Sequence, residues 1–197
     1  MFIELTDHLR CPENHDEAFL VLLPEQVEGR SVRTGTLGCP VCDRRFELRD
    51  GVLDTGSAPV APENGEPTAL TADSLSALVG LGEPGGYLVL VGRPAAAWRE
   101  VAALTPGVGL VAVNPPSSVQ DESGISVIRS ARLPLKSNSM RGVVLGPPYG
   151  GADDWVQEAA RVVLPGLRVV GEGRNPAPEL IELMASAGGV WVGTRPR

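Results

Sequence analysis

The sequence predicts an α/β protein in two parts, a small cysteine-stapled ribbon followed by a parallel sheet with helices on both faces. Three observations carry this. A Cys39-Pro40-Val41-Cys42 knuckle has a lone Cys11 and His15 upstream of it. A Pro/Gly-rich stretch then breaks all periodicity over residues 56–69, and short Val/Leu runs alternate with amphipathic segments from residue 70 onward.

The ribbon is expected over residues 1–55. Two cysteines separated by two residues aim both sulfurs at one tetrahedral centre, and Cys11 with His15 supplies two further ligands, giving a closed Cys3His shell for a structural zinc. His8, also two residues from Cys11, is the rival fourth ligand. The bland alternative makes Cys11 a buried thiol and His15 a surface histidine. Short apolar stretches at residues 19–23, 46–48 and 52–53 read as the ribbon's strands. Residues 56–69 read as a linker, because their prolines, glycines and polar residues cannot bury enough surface to order themselves.

The second domain is expected over residues 70–197. Strands are predicted at residues 87–91, 110–113, 126–128, 143–145 and 168–170, with a last one around Trp191. Helices are predicted at residues 70–81, 95–104, 152–163 and 178–187. Trp98 and Trp155 fall in two of these helices and read as packing residues.

The formal charge of −7 is unevenly distributed. Residues 1–70 hold thirteen acidic and six basic residues, whereas residues 71–197 hold eleven of each. Neither part has the basic balance of a nucleic-acid reader. No apolar run approaches the roughly 20 residues of a membrane helix, and residues 1–7 lack the pattern of a secretory signal, so a cytoplasmic, membrane-free protein is expected.

Two resemblances follow from particular residues. Leu5-Thr-Asp-His-Leu-Arg-Cys-Pro12, Leu37-Gly-Cys-Pro-Val-Cys-Asp-Arg-Arg-Phe46 and Asp50-Gly-Val-Leu53 resemble the small zinc-ribbon proteins that activate methyltransferases. That family has Cys where this chain has Asn14, and His15 is the proposed substitute. Residues 131–145 and 158–170 resemble the loops and strands of class I S-adenosylmethionine-dependent methyltransferases, which implies a Rossmann-like sheet. Here the sheet is expected to be trimmed, with little room after Trp191 for the closing antiparallel hairpin.

The second resemblance also implies cofactor positions, and these residues depart from it. The family's first strand ends in an acid and a glycine-rich turn, whereas this chain has Leu90, Gly92, Pro94 and Ala96. The acid that holds the ribose is replaced by Asn114, and the adenine position carries Ser130-Ala131. Gly92, Asn114 and Ala131 are thus the candidate cofactor contacts. Gly146-Pro147-Pro148-Tyr149 resembles the Pro-Pro-aromatic motif of amino-group methyltransferases but lacks its leading Asn or Asp; a chance Pro-Pro-Tyr is the expectation. The resulting expectation is a non-catalytic methyltransferase-like protein with no catalytic residue, zinc as cofactor, S-adenosylmethionine binding in doubt, and a protein partner. The alternatives are an active methyltransferase on RNA or protein with an atypical pocket, or a binder of another nucleotide-like ligand.

Overall fold

Eleven strands join in one continuous mixed sheet in the computed structural model, which describes residues 1–56 and 68–196. The strands are β1 (Val21–Glu28), β2 (Ser31–Gly38), β3 (Arg45–Arg49), β4 (Val52–Asp54), β5 (Tyr87–Val91), β6 (Gly109–Val113), β7 (Ile125–Arg129), β8 (Gly142–Leu145), β9 (Arg168–Glu172), β10 (Glu182–Ala187) and β11 (Val190–Thr194). Their spatial order is β1-β2-β3-β4-β7-β6-β5-β8-β9-β11-β10. The helices are α1 (Ala72–Val79), α2 (Trp98–Leu104) and α3 (Asp153–Val162). Most of the expected linker, residues 57–67, lies outside the described residues.

The central strands are buried on both faces, and alternation sorts their side chains into two layers. Leu88, Leu90, Leu110 and Ala112 point to the face where Leu75, Val79, Trp98 and Val101 bring α1 and α2 against the sheet. Val89, Val91, Val111 and Val113 point to the other face, which Trp155, Val156 and Ala159 of α3 cover. Both tryptophans pack, as their positions predict. Arg168, through its hydrogen bond to the Leu78 carbonyl, ties α1 to β9.

The N-terminal strands extend this sheet. β4 pairs in parallel with β7, Leu53 opposite Ile128, so one ladder runs across the expected boundary. Leu5, Leu9, Leu37, Phe46 and Leu48 share an apolar cluster with Leu133, Leu135 and α3. That face lacks a helix between β7 and β8, and the 3-10 helix Ile3–His8 with its following segment fills the gap: Arg10 N–H donates to the Pro134 carbonyl (3.0 Å) and Lys136 N–H to the His8 carbonyl (2.7 Å). Arg161, which bonds Glu158 (2.8 Å) and the Leu133 and Leu135 carbonyls, and Arg10, which reaches Glu17 and Glu158, hold the junction.

Three expectations are corrected. Residues 178–187 are not a helix: β10 forms there, because Gly188 and Gly189, both at positive φ (59° and 78°), make the two-residue turn of a hairpin with β11. The closing hairpin is therefore present, and the trimming lies in the helices, since the β6–β7, β7–β8 and β9–β10 connections carry no α-helix. The sheet is also not wholly parallel, for β11 runs antiparallel to β9 and β1 to β4 are antiparallel throughout. Smaller shifts occur at the edges. β1 begins at Val21 instead of residue 19, and β2, a polar Ser-Val-Arg-Thr-Gly-Thr-Leu-Gly alternation, has no predicted counterpart. No helix of the described residues is long and apolar enough to cross a membrane.

Candidate functional site

Cys11, His15, Cys39 and Cys42 converge so that their ligand atoms all lie within 4.8 Å of one another. Two tight turns bring them there. Cys11 N–H donates to the Ala18 carbonyl and Cys39 N–H to the Arg44 carbonyl, closing a loop on each side of the cluster. In the second loop Asp43 takes a positive φ of 57°, which an Asp tolerates better than most residues, and Val41 N–H points at Cys39 Sγ (3.4 Å).

The spacing within the cluster tests it for a metal. Cys11 Sγ and Cys42 Sγ are 3.7 Å apart, and Cys39 Sγ and His15 Nε2 are 3.5 Å apart. Bonds of about 2.3 Å to sulfur and about 2.05 Å to nitrogen in a tetrahedron place two sulfurs about 3.75 Å apart and sulfur and nitrogen about 3.55 Å apart. Both edges fit zinc. His15 is also oriented: Nδ1–H donates to the Asp16 carbonyl (2.6 Å), which leaves Nε2 to face the sulfurs and raises the ring's pKa. Burial pushes the Cys11 thiol up to about 12, whereas for Cys39 the burial effect is outweighed by N–H groups of Cys42 and Val41, leaving it at about 7. His8 lies elsewhere, edge-on to Tyr87 with ring centroids 5.5 Å apart, its Nδ1 buried without a hydrogen-bond partner among the described residues.

The turn after β5 is built differently. Gly92 has the positive φ (74°) that a tight turn requires, but its N–H donates to the Val113 carbonyl (2.9 Å). The Tyr149 ring lies directly over it: a β-carbon on Gly92 would meet Tyr149 Cε2 at 2.9 Å. Tyr149 is 3% exposed, stands edge-on to Trp155 at 4.5 Å, and has its phenol against the Asn114 side chain. Burial raises the phenol's pKa. A β-carbon on Gly146 would clash with the Pro94 ring, so the position leading the Pro-Pro-Tyr sequence has no room for an Asn or Asp side chain here.

Asn114 works as a clamp. At 2% exposure its Nδ2 donates to the Ser130 carbonyl (2.7 Å) and its Oδ1 accepts from Ser130 N–H (2.9 Å). The task needs one donor and one acceptor, so an amide fits and a carboxylate does not. Leu90 is buried in the layer under α1 and α2. Ala131 lines a polar cleft of about 290 Å³ with Pro12, Glu13, Asn14, Arg44 and Arg132, to which neither Gly92 nor Asn114 contributes. Of the three candidate cofactor contacts, then, two are packed by the chain's own side chains and the third opens on a separate cleft. Sequence reasoning missed Tyr149, whose inward ring has no sequence signal, and the Ser130 clamp, which pairing an Asn with a buried Ser at the next strand's end could have suggested.

No family model matches the chain, and no curated protein matches it. Among solved structures, the [4+2]-cyclase SpnF is similar at 16% identity with a TM-score of 0.42, over 51% of this chain and 42% of that one. A putative S-adenosyl-L-methionine-dependent methyltransferase from Methanococcus maripaludis is similar at 12% identity and 0.48, over 64% and 84%. The complex between the Haloferax volcanii Trm112 methyltransferase activator and the putative methyltransferase is similar at 21% identity and 0.40, over 51% and 50%. The chain thus spans less than half the length of the first of these.

Proposed function

We propose that this chain is a methyltransferase-like binding protein: a zinc-stapled ribbon continuous with a sheet whose cofactor turn is filled by its own side chains, and no methyl transfer of its own. Zinc held by Cys11, His15, Cys39 and Cys42 supplies folding energy and no open coordination position, since four protein ligands complete its shell. The observation that carries the non-catalytic half is Tyr149 seated on Gly92 and braced by Asn114 and Trp155. A ligand's amino-acid end needs free backbone N–H groups and space at this turn; Gly92 N–H is engaged, Pro94 has none, and the space holds a phenol ring.

A protein with such a turn acts by what it binds, and a protein partner in the cytoplasm is the reading we favour. Its acidic N-terminal part disfavours a polyanion. Isothermal titration of the zinc-loaded chain with S-adenosylmethionine is the test. No heat of binding is expected up to millimolar ligand, and micromolar affinity overturns the reading.

A further inference from the structure

We propose that the solvent face of the N-terminal strands is a docking groove for an extended protein segment carrying large apolar side chains flanked by basic residues. The proposal rests on the binding role proposed above and names the partner's chemistry.

The antiparallel strands β1–β3 bury one face, through Leu22, Leu37, Phe46 and Leu48, and should be polar on the other. β2 and β3 obey, presenting Thr34, Thr36, Arg45, Glu47 and Arg49 outward. β1 does not: Val21 and Leu23 stand outward, 54% and 62% exposed. Their cross-strand partners are Gly38 and Thr36. Gly38 leaves open space where a side chain would stand, so it forms the floor of a groove of about 330 Å³ walled by Val21, Leu23 and Pro40 and rimmed by Asp43 and Arg45. Val41, 62% exposed at the tip of the knuckle, continues the apolar surface.

Just before β1, residues 18–20 pair with residues 9–11 through Cys11 N–H to the Ala18 carbonyl and Leu20 N–H to the Leu9 carbonyl; from Val21 onward the edge away from β2 pairs with nothing among the described residues. Pro24 and the register shifts on both sides of Gln26 spoil pairing beyond it, which leaves Val21–Leu23 as the regular stretch open to an added strand. An occupant there would lay alternate side chains into the groove. Charge selects its flanks. Residues 1–56 hold eleven acidic and six basic residues, and Arg10, Arg30, Arg33, Arg44 and Arg49 are each already paired with a carboxylate. Asp43 on the rim and Glu25 farther along β1 form no salt bridge among the described residues, and neither does Arg45 beside Asp43, so the preference for a basic segment over a nucleic acid comes from the excess of acids over residues 1–56 and not from the rim alone.

The test uses the zinc-loaded full chain and a fluorescein-labelled peptide of alternating Lys and Leu or Val, read by fluorescence anisotropy. Binding is expected, weakening with salt, and at least about tenfold weaker for the same peptide with Glu in place of Lys. Gly38→Leu, which fills the groove from its floor, and Leu23→Ser, a surface change, should each weaken it by a similar factor. Melting curves establish that both variants fold; if Gly38→Leu does not, Leu23→Ser decides. Absence of binding, equal affinity for the two peptides, binding untouched by Leu23→Ser, or tighter binding of a short single-stranded RNA each overturns the groove. None of these outcomes alters the S-adenosylmethionine titration, so the two readings fail separately.

Discussion

The cysteine-histidine cluster and the turn after β5 belong to one sheet but dispose of their polar atoms in opposite ways. In the cluster, backbone N–H groups and the Asp16 carbonyl orient side chains whose remaining lone pairs converge on a common point. At the turn, lone pairs and donors are satisfied within the chain: Gly92 N–H by Val113, Asn114 by Ser130, the phenol of Tyr149 by Asn114. A site is recognised less by which residues surround it than by which of their polar atoms remain uncommitted.

The largest test of this contrast is Cys39→Ser. Metal content should fall to zero, and because Leu5, Leu9 and Leu37 share a core with α3, the whole chain should melt earlier, with a loss of several kcal/mol. Elemental analysis with a thermal melt checks both; unchanged zinc and melting would show the cluster to be ordinary packing. Next is Tyr149→Ala, which deletes a buried ring and should cost about 3–5 kcal/mol in chemical denaturation. It should still fail to confer S-adenosylmethionine binding, because Pro94 offers no N–H. Recovery of micromolar binding would make Tyr149 the sole obstacle.

Asn114→Asp comes third. A carboxylate keeps the bond from Ser130 N–H but sets an acceptor against the Ser130 carbonyl, a loss of about 1–3 kcal/mol. A loss as small as a surface substitution would dissolve the clamp. Smallest is a pH effect at His8, whose pKa is lowered by burial. The unfolded state takes up this proton first, so stability is full above the ordinary value of 6.5 and declines as pH falls below it. His8→Phe keeps the edge contact with Tyr87 and should flatten that part of the stability curve measured by chemical denaturation across pH. An unchanged pH profile would remove His8 from the account.

The buried strands were legible because Leu88–Val91 and Leu110–Val113 are short Val/Leu-rich runs apolar on both faces and alternate with amphipathic segments, the pattern of a covered parallel sheet. The ligand cluster was legible from the scarcity of Cys and His, although choosing His15 over His8 needed the loop that turns its ring. β2 was hidden because its inward residues, Val32, Gly35 and Leu37, are separated by polar ones and by a bulged partner. β10 was misread because Glu182, Leu183, Met184 and Ala185 favour helix locally, while the Gly188-Gly189 turn overrides them. Nothing in Pro147-Pro148-Tyr149 says which way the ring faces; packing against Gly92 decides that.

The pairing of Leu53 with Ile128 also has a consequence during synthesis. The N-terminal strands leave the ribosome about 75 residues before the edge they join, a wait of roughly 4–15 s at ordinary elongation rates. Through that interval Leu5, Leu9 and Leu37 have no sheet to cover them. If the cluster captures a metal early, it would hold the nascent strands in shape until β7 arrives, a kinetic task at birth beside the thermodynamic one proposed above.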